Sequence, residues 1–377
     1  MGANQSTEQP PSPAKSPKPA VKAAAPAGTG AAPAAAAAAD KPVAAPSAPA
    51  VACDLCARAG NDGETPLHAA ARAGHVLCLT ATLLKGKAGG CPPVDATTDA
   101  ARGASAATAG RTALYVAAQY GHDDCVAALH RAGASLALAG PKGRTPAFVA
   151  ALNGHANVLK VLHAAGAAMS EPDAEGTTPL LVAAVKGWVD CVARLVLAGT
   201  DVNAPRPSDG VTPLLAAAYG GHALVARALL AAGADPNAKA KNGATAYFLA
   251  AQQGHAGVIR VLAEGFDATT PAGSPTTATA AAAAEGAPSL VRTSKAPAPD
   301  ANAPGVDGAT PLFMAAQKGH ADCVVALIAA GADARSAVPW NGQTPRDIAV
   351  ACEHAAVVDV LTEHNLAHSA GGGCVVS

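Results

Sequence analysis

Thr65-Pro66-Leu67-His68-Ala69-Ala70-Ala71-Arg72-Ala73-Gly74-His75 is the stretch on which the reading of this chain turns. Its threonine is a good helix cap, and the proline after it fits the first turn, where an unpaired N–H is expected anyway. Gly74 ends the short helix so begun, because glycine takes the left-handed conformation that closes a helix. The same frame returns at Thr112-Ala113, Thr145-Pro146, Thr178-Pro179, Thr212-Pro213, Thr245-Ala246, Thr310-Pro311 and Thr344-Pro345. All but the last are followed at the fixed offset by a glycine: Gly121, Gly154, Gly187, Gly221, Gly254 and Gly319. Histidine follows six of the seven glycines, and Trp188 follows Gly187. A period of about 33 residues predicts a stacked array in which no unit buries its apolar face alone.

Within each period the apolar spacing resumes after the glycine, as at Val158, Leu159, Val161 and Leu162, and predicts a second helix that ends at Gly166. Turn pairs precede the next threonine: Lys142-Gly143, Asp209-Gly210, Asn242-Gly243, Asp307-Gly308 and Asn341-Gly342. They are expected to form a projecting hairpin. This pattern resembles the ankyrin repeat, whose signature the stretch from Thr65 to His75 follows almost letter for letter, and the resemblance covers residues 51–366. It implies an all-α ankyrin-repeat solenoid, each repeat a helix-turn-helix plus a β-hairpin finger, with eight clear repeats. Thr344 to Ala349 resembles the C-terminal cap of such arrays.

Two intervals break the period. From Thr65 to Thr112 there are 47 residues, and the Gly/Pro/Ala/Thr-rich stretch 86–110 reads as an inserted, enlarged finger. From Thr245 to Thr310 there are 65. Thr277 and Gly286 keep the nine-residue offset there, and Leu290 and Val291 fall where a second helix needs apolar groups. We read residues 267–309 as a degenerate repeat in register, with a disordered insertion as the alternative. Ser294, Lys295 and Pro297 replace its later core positions, so such a repeat should open before its neighbours.

Composition narrows the function classes. Half of the 377 residues are apolar but only 3% are aromatic and 14% charged, which suits helices packed closely on alanine better than a large enzyme core. A net charge of −1 gives no basic stripe for nucleic acid. The alanine-rich run 23–39 is broken by Pro26, Gly28, Gly30 and Pro33 and does not read as a membrane span. No secretory leader is legible, so the nine cysteines are expected as thiols in a reducing cytosol.

Cys53-Asp-Leu-Cys56 has metal-ligand or redox spacing, but no second Cys-x-x-Cys or His pair completes four ligands. A metal-binding or catalytic protein using Cys53 and Cys56 is therefore the weaker alternative, and no metal or cofactor is assigned. Cys78, Cys125, Cys191 and Cys323 each lie four residues after a register glycine, where a small side chain packs in the second helix. His75, His122, His155, His222, His255 and His320 share one slot and hence one structural duty. A catalytic histidine needs a unique nucleophile and an orienting acid, and no phosphate loop, nucleophile elbow or His-Glu-x-x-His helix is present. We expect neither enzyme activity nor a small-molecule substrate.

The resemblance implies protein binding through hairpin tips and the first-helix face. Tyr120, Trp188, Tyr219 and Trp340 are the candidate contacts, since each offers aromatic area with a polar handle. Packing between repeats is the alternative for each. Tyr115, Phe148, Phe248 and Phe313 share a slot three residues after the threonine and are expected to fill the stack.

Residues 1–50 are rich in Pro, Ala, Ser and Lys and are expected to be disordered. They open Met1-Gly2-Ala3-Asn4-Gln5-Ser6, a myristoylation pattern whose acceptor is Gly2, and residues 367–377 carry Cys374-Val375-Val376-Ser377, a farnesylation pattern on Cys374. One myristoyl chain binds a membrane only marginally, so a second lipid makes physical sense. The expected place is the cytoplasmic face of a membrane, the plasma membrane or an extension of it, where the array scaffolds a protein partner. The alternatives are a soluble cytosolic adaptor with unmodified ends and a pathogen effector lipidated by its host.

Overall fold

The computed structural model describes residues 64–87, 93–98, 109–264, 298–305 and 307–370. The tail 1–50 with Gly2, the pair Cys53 and Cys56, and Cys91 lie outside them, as do Thr277, Gly286, Leu290, Val291, Ser294, Lys295, Pro297 and Cys374.

Sixteen α-helices stand among the described residues, in eight antiparallel pairs. They are α1 (Pro66–Ala73) and α2 (Val76–Lys87); α3 (Ala113–Tyr120) and α4 (Asp123–Arg131); α5 (Pro146–Asn153) and α6 (Ala156–Ala164); and α7 (Pro179–Lys186) and α8 (Val189–Leu197). There follow α9 (Pro213–Gly220) and α10 (Ala223–Ala231); α11 (Ala246–Gln253) and α12 (Ala256–Glu264); α13 (Pro311–Lys318) and α14 (Ala321–Ala329); and α15 (Pro345–Ala351) and α16 (Ala355–Ala370). The last helix runs past the boundary expected at 366.

The register threonines cap as anticipated. Thr112 Oγ1 accepts the Tyr115 N–H at 3.1 Å, and Thr145, Thr178, Thr212, Thr245, Thr310 and Thr344 repeat the bond. First helices pack on first helices of the next pair and second on second. The seam between first helices is a double row of alanine, as at Ala117-Ala118, Ala150-Ala151, Ala183-Ala184 and Ala217-Ala218, all fully buried. Side chains this small let the backbones approach closely, and the leucines and valines of the second helices close the core behind them. Tyr115, Phe148 and Phe313 are buried, with Phe248 packed against the same core.

The fingers differ from expectation, since no strand forms among the described residues and the one β-bridge joins Thr97 to Thr112. Each finger is instead a tight turn closed by a backbone bond, such as Gly140 N–H to Arg144 O at 2.8 Å or Asp173 N–H to Thr177 O at 2.9 Å. Pro141, Pro172, Pro205, Pro304 and Pro339 remove ladder donors in these segments, and a short two-stranded hairpin is marginal in water. Adjacent turns are tied directly, Ala174 N–H to Lys142 O at 2.9 Å and Lys241 N–H to Asp209 O at 2.8 Å. The base of the enlarged finger is pinned where Thr98 N–H donates to Arg111 O at 2.8 Å and Gly110 N–H to Thr98 O at 2.9 Å.

Across the long interval the flanking repeats are in contact. Helices α11 and α12 rest directly on α13 and α14. A Cβ on Gly254 would meet the His320 ring at 3.0 Å, the same contact that adjacent repeats make elsewhere. The degenerate repeat or insertion read at 267–309 lies outside the described residues up to 297, so this contact concerns its flanks alone. The repeat pattern resumes at Ala298, where the loop leading into α13 begins.

Candidate functional site

The Gly-His slot joins one repeat to the next. Each register glycine sits at positive φ, and the ring of the following repeat lies on it: a Cβ on Gly121, φ 83°, would stand 2.6 Å from His155 Nδ1. The ring's Nε2 then bonds to a carbonyl two residues before that glycine. The bonds are His122 to Arg72 O and His155 to Gln119 O at 3.0 Å, His222 to Val185 O at 3.0 Å, and His255 to Tyr219 O at 3.1 Å. These carbonyls belong to the last turn of a helix, which has no partner of its own for them.

Two further histidine bonds between repeats escaped the sequence. His354 bonds to Gln317 O at 3.1 Å and lies on Gly319, although Glu353 stands where its own glycine would be. His68 is buried; its Nδ1 lies 2.8 Å from the Thr65 hydroxyl and its Nε2 2.8 Å from the Arg111 carbonyl of the next repeat. Burial pushes its pKa below the usual histidine value, so the ring is held neutral.

Trp188 performs the histidine's task with a larger ring, its Nε1–H donating to Leu152 O at 3.2 Å over Gly154, and remains 43% exposed. Tyr219, late in α9, and Val185, late in α7, are exposed at the same end of successive pairs. These three form a run of exposed apolar groups, with Tyr120 on α3 further along the row of helix ends. Val185 was not anticipated; its signal is an aliphatic residue in a slot that holds Gln119, Gln252 and Gln317 elsewhere. Lys186 and Lys318 stand beside the row, one residue on. Trp340 lies apart at the last turn, edge-on to Phe313 with ring centroids 6.3 Å apart, yet 59% exposed.

The turn tips are fixed by local charge. Asp173 Oδ1 accepts the Glu175 and Thr177 N–H groups at 3.0 Å, and Arg144, stacked over Phe148, reaches its Oδ2 at 3.4 Å. Arg206 pairs with Asp209 across its own turn and holds that carboxyl below the ordinary range.

Burial pushes the Cys125 and Cys323 thiols up to about 11 and Cys191 to about 12, which keeps them protonated and poor nucleophiles. No three His, Cys, Asp or Glu side chains among the described residues converge on a common metal position. None of the described helices is long and apolar enough to cross a membrane.

A family model for ankyrin repeats matches residues 44–139, 129–206, 189–272 and 279–370. No curated protein matches the chain. Arrays of this kind are protein–protein interaction modules, a role consistent with a row of repeated slots in which exposed side chains vary while ring, glycine and carbonyl stay fixed. With its threonine caps, stacked Gly-His slots and paired helices matched over most of the sequence, the chain belongs to the ankyrin-repeat family.

Proposed function

We propose that the protein is a scaffold without chemistry of its own, binding a protein partner at the exposed first-helix ends and holding it at a membrane through lipids on Gly2 and Cys374. The observation that carries the binding half is the run Val185, Trp188 and Tyr219, three exposed apolar groups on two adjacent layers of a rigid stack. Side chains already fixed by the fold lose little freedom on binding, and Tyr and Trp are enriched where interface energy concentrates. Tyr120 extends the row, and Trp340 offers a second contact at the last turn. The membrane half is supported by the two acceptor motifs, with the avidity of two weak anchors in one molecule.

The test is intact mass and membrane fractionation of the chain expressed in a eukaryotic cell, beside Gly2→Ala and Cys374→Ser, with proximity labelling of neighbours. Expected are lipid masses at both sites, release from membrane in either variant, and loss of the labelled partner when Trp188 and Tyr219 are both alanine. Unmodified mass and a cytosolic pool with labelling intact would reduce the protein to a soluble adaptor. Labelling unchanged by the double variant would move the binding surface elsewhere.

A further inference from the structure

A second repeated hydrogen-bond system runs along the loops that follow the second helices. Asn203 Nδ2–H donates to Gly233 O at 3.2 Å while its Oδ1 accepts the Asp235 N–H at 2.8 Å. Asn237 makes the same two bonds to Ala298 O and Asp300 N–H, at 3.0 and 2.9 Å. Asn302 makes them to Gly331 O and Asp333 N–H, at 3.2 and 2.7 Å. One carboxamide thus clamps a carbonyl and an amide of the neighbouring loop at three seams.

The clamp is missing at two seams, where Ala137 and Ser170 occupy the asparagine position; between the α5/α6 and α7/α8 repeats it is Ser170, four residues after Gly166 as Asn203 is after Gly199. The groups it would have held are the Gly199 carbonyl and the Asp201 N–H, and among the described residues neither takes part in another backbone bond. Serine ends at its hydroxyl and cannot bridge them. A notch of ≈ 240 Å³ opens at this place, lined by His163, Gly166, Ala167, Met169, Ser170, Ala198, Gly199 and Thr200.

We infer that this notch receives a carboxamide, the Asn or Gln side chain of a partner polypeptide, which completes the missing rung. The three intact rungs define the chemistry. A donor must face the Gly199 carbonyl and an acceptor the Asp201 N–H, side by side on one planar group. A carboxylate can take the amide alone, as Asp95 takes the Ser135 N–H at 2.9 Å at the first seam, but offers the carbonyl no donor and sets negative charge against it and the Asp201 side chain. Ammonium and guanidinium bring only donors. A trans peptide group has both but directs them to opposite sides. The walls Ala167, Met169 and Ala198 cover the apolar stem of the incoming side chain. The partner as source rests on the scaffold reading above; the recognition itself does not.

The test is a nitrogen-15 NMR titration of the full chain with acetamide, with acetate as the comparison. Acetamide is expected to shift the Gly199, Thr200 and Asp201 amides saturably, and acetate, which can take only the amide half of the rung, to act at least tenfold more weakly. Ser170→Asn, which supplies the carboxamide in cis, is expected to weaken the acetamide response at least tenfold. Ala198→Leu narrows the notch from its other wall, should do the same, and serves if the first variant misfolds. Silence at these amides, an equal response to acetate, or full response in both variants overturns the proposal. Each of those results leaves partner labelling at Trp188 and Tyr219 to stand or fall separately.

Discussion

Gly121 and Gly133 both have positive φ, 83° and 92°, but a Cβ on the first would strike the His155 ring whereas one on the second meets nothing within 4 Å. Gly133→Ala should therefore cost the backbone term alone, about 1–2 kcal/mol. Gly121→Ala adds displacement of a packed ring, for a total of about 2–4 kcal/mol. The two denaturation midpoints, measured side by side, separate these terms; equal losses would mean that the ring moves aside freely. His68 gives a pH signature. Its folded pKa lies below 6.5 because the ring is buried, so the unfolded chain takes up the proton first as pH falls. The stability it contributes is full above about pH 6.5 and is lost on acidification toward the lowered folded value. Amide protection factors in α1, which remove the intrinsic pH dependence of exchange, should fall between about pH 7 and 5, and His68→Leu, which matches the apolar residues at this slot elsewhere, should flatten that response. The Gly-His pairs were legible because repetition exposes a slot. His68 and His354 were not: the first stands where other repeats carry Tyr, Phe or Leu and binds 43 residues away, and the second has lost its glycine to Glu353.

At the level of elements, threonine caps and alanine seams could be read directly, since caps and helix periodicity are local properties of the chain. The fingers could not. Turn pairs predict a reversal of direction, but whether strands extend from it depends on how many donors the intervening prolines leave, and here only the bonds of the turn itself survive, such as Gly140 N–H to Arg144 O and Gly143 N–H to Gly140 O. The asparagine rungs were also invisible, because each becomes meaningful only against the loop of the next repeat. Asn237 is the informative one, since it grips Ala298 and Asp300 at the point where the repeat pattern resumes after the long interval. Asn237→Ala removes two hydrogen bonds from an exposed seam and should cost about 1–2 kcal/mol. The loss should appear as faster amide exchange in the loop from Ala298 to Gly305 and in α13. Uniform exchange across all eight pairs would show that the rung has no local role.

For the whole molecule, stability in a linear stack is a sum of layer and nearest-neighbour terms, so the question at residues 265–297 is whether they supply either. The contacts of α11 and α12 with α13 and α14 say that the neighbour term across the interval is already made by described helices. In the adjacent repeat, Ala232 alone stands between the α10 terminus at Ala231 and Gly233, the counterpart of Ala298. Replacing 265–297 by a single alanine should therefore leave the stack continuous. Closing a connection of that length costs more than closing a single-residue one, by about 3 kcal/mol when chain entropy is taken as (3/2)RT ln n. The shortened protein should consequently unfold at equal or higher denaturant with the same cooperativity. A folded layer in the interval predicts the opposite: deletion would strip a neighbour term, lower the midpoint and uncouple the last two helix pairs from the first six. One denaturation curve in a Trp188→Phe background, followed by helical signal and by Trp340 emission beyond the junction, distinguishes the two, because coincident transitions require that the array act as one stack across the cut.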